Sequence, residues 1–121
     1  MIEIIREGFP GNVVALRAHG TVEHRDYEEV LVPAVESAIA THGKIRFLYH
    51  VPGDFTGYTA GAMWDDAKVG LGHLTAFEKV AVVTDVAWMR NAVNLFRFLI
   101  PCPVKIFANA EFTEAAAWIN D

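Results

Sequence analysis

Apolar and polar positions along the chain repeat with a period of two in some segments and of about 3.6 in others, and the switches between the two lay out the fold. IEIIR (2–6) and VVALRAH (13–19) read as strands on either side of GFPGN. Glycine, proline and asparagine supply the backbone angles of a reversal there, so a hairpin is expected. Tyr27, Val30, Leu31, Ala34, Ala38 and Ile39 then recur at helical spacing. Asp26 with Glu29 three residues on has capping-box spacing at the start of this helix. The run extends to about residue 41 and Gly43 ends it. Pro33 inside the run either kinks the helix or marks the first turn of its main segment.

KIRFLYHV (44–51) sets Ile45, Phe47, Tyr49 and Val51 against Arg46, Leu48 and His50, as a partly covered strand would. From Thr59 to Leu74, the apolar positions Ala60, Met63, Trp64, Ala67, Leu71 and Leu74 build one helical face, with Asp65, Asp66 and Lys68 on the other side. KVAVVTD (79–85) is almost continuously apolar and β-branched, which suits a central parallel strand covered on both faces. A third helix over 86–100 is predicted, capped by Asp85 and stopped by Pro101. PVKIFA (103–108) is a last strand, and EFTEAAAWIND a last helix packing through Phe112, Ala116 and Ile119. The order β-β-α-β-α-β-α-β-α predicts one α/β domain over residues 1–121, with a mostly parallel sheet, an antiparallel first strand and about four helices.

Composition narrows the function classes. The 121 residues are 53% hydrophobic and 21% charged, which describes a packed globular chain. A net charge of -5, with the 10 basic residues scattered singly, leaves no basic stripe for nucleic acid or an anionic membrane surface. The most apolar stretch, 86–108, is cut by Arg90, Arg97, Pro101 and Pro103, so no stable membrane insertion is expected. MIEIIREGFPG carries Glu3 and no long apolar region, which does not match a secretory signal, and the expected location is the cytoplasm. One cysteine excludes an intrachain disulfide.

Candidate chemistry is thin. Asp65 and Asp66 point about 100° apart on a helix, and with His73 beyond Gly70 and Gly72 they make a poor chelating set, so no metal is expected. Cys102, between two prolines, reads as a buried structural thiol. The histidines at 19, 24, 42, 50 and 73 lack H-x-x-x-H ligand spacing and read as surface or pocket-edge residues. Gly70-Leu71-Gly72 has no third glycine at 75, and no Walker lysine-threonine pair occurs, so no nucleotide cofactor is expected. The third helix is the anomaly. Trp88, Met89, Ala92, Val93, Leu95, Phe96, Leu99 and Ile100 cover well over half of it, more than one sheet face requires. Plain burial between neighbouring helices, a subunit interface and an apolar ligand cavity all account for the surplus.

GYTAGAMWDDAKVGLGHLTAFEKVAVVTDVAWM (57–89), in this element order, resembles the SpoIIAA-like family of the STAS domain class. The resemblance covers about residues 20–119 and rests most on Trp64-Asp65-Asp66, Lys68, Gly70, His73, Phe77-Glu78-Lys79, Ala81-Val82-Val83 and Trp88. It implies a small mixed sheet with packed helices and two functional precedents. STAS regulators bind partner proteins and are switched by phosphorylation before the helix that follows the third strand. The structurally related CRAL-TRIO carriers hold apolar ligands. The family's Asp-Ser pair is here Asp54-Phe55-Thr56-Gly57, with phenylalanine in the serine position. Thr56 or Thr59 would have to accept the phosphate. The expectation is a non-enzymatic, homodimeric domain without cofactor that binds an apolar small molecule or lipid. Tyr58, Met63, Trp64, Trp88 and Phe96 would be apolar walls, with Phe55 beside them and Asp54 and Thr56 meeting a polar head. The alternative is a protein-interaction regulator of the anti-sigma-factor-antagonist kind that uses the loop at 53–59.

Overall fold

The computed structural model describes residues 1–59 and 74–121, apart from the side chains of Leu74 and Phe96. Seven strands run along these residues. They are β1 (Ile2–Ile4), β2 (Val13–Ala18), β3 (Thr21–Val22), β4 (Ile45–Val51), β5 (Gly57–Tyr58), β6 (Phe77–Thr84) and β7 (Val104–Phe107). Five of them form one sheet in the order β1-β2-β4-β6-β7, and β3 pairs with β5 in a separate two-stranded sheet. Strand β1 is antiparallel to β2, as the hairpin reading expects, with Glu3 opposite Arg17. The pairs β2–β4, β4–β6 and β6–β7 are all parallel. The β3–β5 pair was not foreseen, because two residues per strand leave no periodicity to read.

The helices follow from the faces these strands expose. Helix α1 is continuous over three segments: His24–Asp26, a π-helical turn Tyr27–Leu31, and Val32–His42. Pro33 lies in the first turn of the last segment. It has no N–H for the usual i→i−4 bond, and the preceding turn is wider, with the Val32 N–H reaching Tyr27 O. Asp26 is not the N-cap. The helix starts earlier, at Glu23, whose backbone N–H donates to Asp26 Oδ2 at 2.8 Å. Helix α2 (Ala87–Phe96) runs into a 3-10 turn, Arg97–Leu99, and α3 (Phe112–Asn120) follows a 3-10 turn, Asn109–Glu111. Asp85 does not cap α2 either. The Val86 N–H donates to Thr84 Oγ1, while Asp85 Oδ1 accepts from the Asn109 N–H. Of the expected helix over 59–74, residues 60–73 lie outside the described residues, Thr59 has no regular structure and Leu74 opens a 3-10 turn, Leu74–Ala76.

Two apolar layers flank the sheet. On one side Leu16, Ile45, Tyr49, Val51 and Val80 pack with Tyr27, Leu31 and Val35 of α1 and Met89 of α2. On the other, Val13, Ala15, Leu48, Ala81, Val83 and Phe107 pack under Ala115 and Ile119 of α3. The inward alanine of α3 is thus Ala115, with Ala116 only partly buried. Strand β4 feeds both layers, with Arg46, Phe47 and His50 only partly buried, which agrees with the partly covered strand its alternation suggested. Cations of the sheet cap the carbonyl end of α3: Arg46 Nη1 donates to Ile119 O at 2.9 Å and Lys79 Nζ to Trp118 O at 3.0 Å.

Candidate functional site

In a mostly parallel sheet, ligands gather beyond the carboxyl ends of the strands. Here that edge carries the segment from Pro52 to Thr59, tied to the residues that follow β2. The Gly20 N–H donates to Asp54 O at 3.2 Å, the Thr56 N–H to Gly20 O at 2.8 Å, and the Thr59 N–H to Val22 O at 2.9 Å. The hydroxyls of Thr21 and Thr56 meet at 2.8 Å. Gly57 has φ +140°, a backbone conformation that side chains disfavour, and so lets the chain turn into β5. Three aromatics line up along this edge. Phe55 and Tyr58 stack edge-on at 5.1 Å, and Tyr58 and Trp88 at 6.1 Å. Tyr58 Oη turns inward and donates to Tyr49 Oη at 3.1 Å, while Trp88 at the start of α2 is 50% exposed.

Beside this rim the sheet register collects a polar row. Glu3, Arg17 and His50 are neighbours across β1, β2 and β4. Arg17 Nε donates to His50 Nδ1 at 2.8 Å, and its guanidinium lies over the Phe112 ring. Burial, followed by the Arg17 charge, holds His50 below the ordinary histidine range. His19, just past β2, sits between two carboxylates, with Nε2 2.7 Å from Glu3 Oε1 and Nδ1 2.9 Å from Asp54 Oδ2. The Glu3 bond above all, with Asp54 adding to it, raises the His19 pKa, and the same bond lowers that of Glu3. With a carboxylate facing each nitrogen, His19 satisfies both only as the imidazolium, which has no free lone pair and so suits a tether and not a general base.

The SpoIIAA-like family model matches residues 13–120. The chain belongs to the SpoIIAA-like family. A crystal structure of a DUF3478-family protein with a SpoIIAA-like fold, from Shewanella loihica PV-4, is 29% identical, with a TM-score of 0.77, over 98% of this chain and 92% of that one. No curated protein matches. The mixed sheet with an antiparallel first strand is therefore a SpoIIAA-like, STAS-type domain.

Within this SpoIIAA-like domain, Phe55, Tyr58 and Trp88 come together as one aromatic rim. Asp54 and Thr56 stand beside it, but their side chains are engaged by His19 and Thr21. Thr59 takes part through its backbone. Met63, Trp64, Asp65, Asp66 and His73 lie outside the described residues, as does the Phe96 side chain. The surplus apolar surface expected of the third helix is partly in the open, with Leu95 of α2 and Leu99 of the 3-10 turn at 61% and 56% exposure, and Phe98 in that turn at 77%. A cavity of about 460 Å³ lies elsewhere, at the amino end of β2 between the hairpin and α1, lined by Ile4, Phe9, Val14, Ala34 and His42 among others. Cys102 is partly buried, and burial pushes its thiol pKa up, as an unreactive cysteine requires. Among the described residues, no three acidic, histidine or cysteine side chains are grouped to hold a metal, and no helix is long and apolar enough to cross a membrane.

Sequence reasoning gave no site role to Glu3, Arg17 and Tyr49, and read His19 and His50 only as surface or pocket-edge histidines. A signal existed for the first two. Each interrupts an apolar strand, and the hairpin register sets them opposite one another.

Proposed function

We propose that this SpoIIAA-like protein is a non-enzymatic binding domain. It takes an apolar small molecule or lipid at the rim formed by Phe55, Tyr58 and Trp88, and it works as a homodimer in the cytoplasm. The observation that carries the reading is the rim itself: three aromatic rings in contact at the carboxyl edge of the sheet, the outermost half-exposed. With the Tyr58 hydroxyl turned inward, ring surface is what a ligand meets. Asp54 and Thr56 reach a polar head by exchanging His19 and Thr21 for it. Burying an alkyl chain contributes about 0.8 kcal/mol per CH₂, less the cost of association. Native and denatured mass spectra of gently purified protein test this. A non-covalent adduct should appear only in the native spectrum, and Trp88→Ala should weaken its retention by about tenfold or more, since burying an aromatic is worth roughly 2 kcal/mol. A clean native mass, or full retention in the folded variant, rejects the site.

A second reading, a protein-interaction regulator, is favoured by one observation. The Thr56 hydroxyl is exposed, on the loop that would form the contact. A partner protein captured by the wild type and lost on Thr56→Glu would move the function to that class.

A further inference from the structure

The loop that carries Phe55 and Tyr58 is held to the hairpin by few bonds, and one set of them depends on a proton. We propose that Glu3, His19 and Asp54 form a pH-sensitive latch that fixes the loop while His19 is protonated and frees the Asp54 end when it is not. That the latch regulates binding rests on the reading of the aromatic rim as the site; the latch itself does not.

The geometry gives the latch its direction. Both nitrogens of His19 face carboxylate oxygens, at 2.7 Å for Glu3 and at 2.9 Å and 3.2 Å for the two oxygens of Asp54. Only the imidazolium donates on both sides, so a neutral ring keeps one bond and turns a lone pair to the other carboxylate. The two carboxylates are not equivalent. Glu3 has a second partner, Arg17, with Nη1 at 3.5 Å, and holds the shorter bond to His19. Among the described residues, His19 is the side-chain partner of Asp54. The Asp54 contact is therefore the one that opens. Without it, the Asp54 end keeps its backbone bonding to Gly20 and the exposed threonine pair, while Tyr58 further along stays anchored through Tyr49 and its ring contacts.

The charges around His19 work in both directions. Glu3 on β1 and Asp54 on the loop favour its proton. Burial opposes it, and two cations stand nearby: Arg17 on β2, paired with the same Glu3, and the Met1 ammonium, which donates to the backbone oxygens of His19 and Thr21. His50 on β4 is kept towards its neutral form by burial and by the Arg17 charge. The net effect is a His19 pKa above its ordinary 6.5 and a Glu3 pKa below its ordinary 4.5. A raised histidine contributes fully below its unfolded value and loses that contribution as pH rises through the folded one. A lowered carboxylate contributes above its unfolded value and loses that contribution as pH falls through the folded one. The latch is closed between these limits and opens on the alkaline side of the histidine range.

The test is NMR on the full chain, from about pH 5 to about pH 9, the span over which histidines titrate. It follows the His19 imidazole and the exchange protection, corrected for intrinsic rate, of the Thr56 and Thr59 amides. Protection should fall by about tenfold or more in step with the His19 titration, as the loss of a charge-assisted hydrogen bond implies. In His19→Gln and in Asp54→Asn it should be low and independent of pH. Protection that does not follow His19, or that keeps the same pH dependence in either variant, overturns the latch. Retention of the apolar adduct, measured on the same samples, separates the two claims. Loop release with unchanged retention leaves the latch standing and rejects the rim as the site.

Discussion

Strand β4 runs directly into the segment Pro52–Thr59, yet the β4–β6 pair and that segment are held by opposite means. The strands pair over seven positions and carry buried residues on both faces, with Ile45 and Val51 on one and Leu48, Ala81 and Val83 on the other all at 0% exposure. The loop after β4 has a two-residue ladder in which Val22 alone is fully buried, one pair of exposed hydroxyls, one imidazole bridge and the Tyr58–Tyr49 hydroxyl bond. Apolar burial is roughly proportional to area and indifferent to pH, whereas exposed polar contacts are weak singly and sensitive to proton and salt. The domain thus joins a rigid platform to a conditional edge, and the candidate rim belongs to the edge.

The largest effect should come from breaking the platform. Leu48→Ala removes a fully buried side chain from the layer under α3, where Ala115 and Ile119 cannot close the gap without moving a helix. Denaturant unfolding should show a loss of about 2–5 kcal/mol. A loss under about 1 kcal/mol would mean that this layer relaxes freely and that the contrast with the loop is overstated.

The same contrast explains what the sequence made legible. Continuous β-branched runs such as those in β6 announce themselves, because burial on two faces demands apolar residues at every position. The edge has no such constraint. Strands β3 and β5 have two residues each, too few for any period. The bridge at His19 joins residues 16 and 35 positions away, so no local spacing marks it. At element ends the misses have a related cause. Asp26 and Asp85 both looked like N-caps, but cap choice depends on backbone geometry that several neighbouring polar residues compete to satisfy. Of the candidate site, Phe55, Tyr58 and Trp88 were legible as apolar residues at strand and helix ends. The partners that occupy Asp54 and Thr56 were not.

A smaller and local effect is expected from Thr21→Val. It removes one hydroxyl from the pair with Thr56 while keeping the shape and the β-propensity of β3. The cost should be about 0.5–1.5 kcal/mol, felt as lost amide protection at Thr56 and Thr59 and not at the β4–β6 ladder. Equal loss of protection in Val82 or Leu48 would show that edge and platform unfold together, and the comparison would fail.

The smallest effect should come from a charge pair on the platform itself. Arg46 and Glu78 meet at 2.9 Å across β4 and β6, with the Glu78 side chain 46% exposed, much as His19 and Asp54 meet across hairpin and loop. Glu78→Gln should cost less than about 1 kcal/mol, because an exposed pair gains little over its separate hydration. It should also release nothing. Arg46 keeps its bond to Ile119 O, and the parallel ladder keeps both strands in register. Asp54→Asn removes the charge from a contact of similar length and exposure, yet it should loosen the loop amides by about tenfold, because there the bridge supplements a ladder of only two residues. Measured side by side by amide exchange, the two carboxylate variants separate the strength of a contact from its structural consequence. If Glu78→Gln loosens β4 as much as Asp54→Asn loosens the loop, the difference between the regions lies in the pairs themselves and not in what surrounds them.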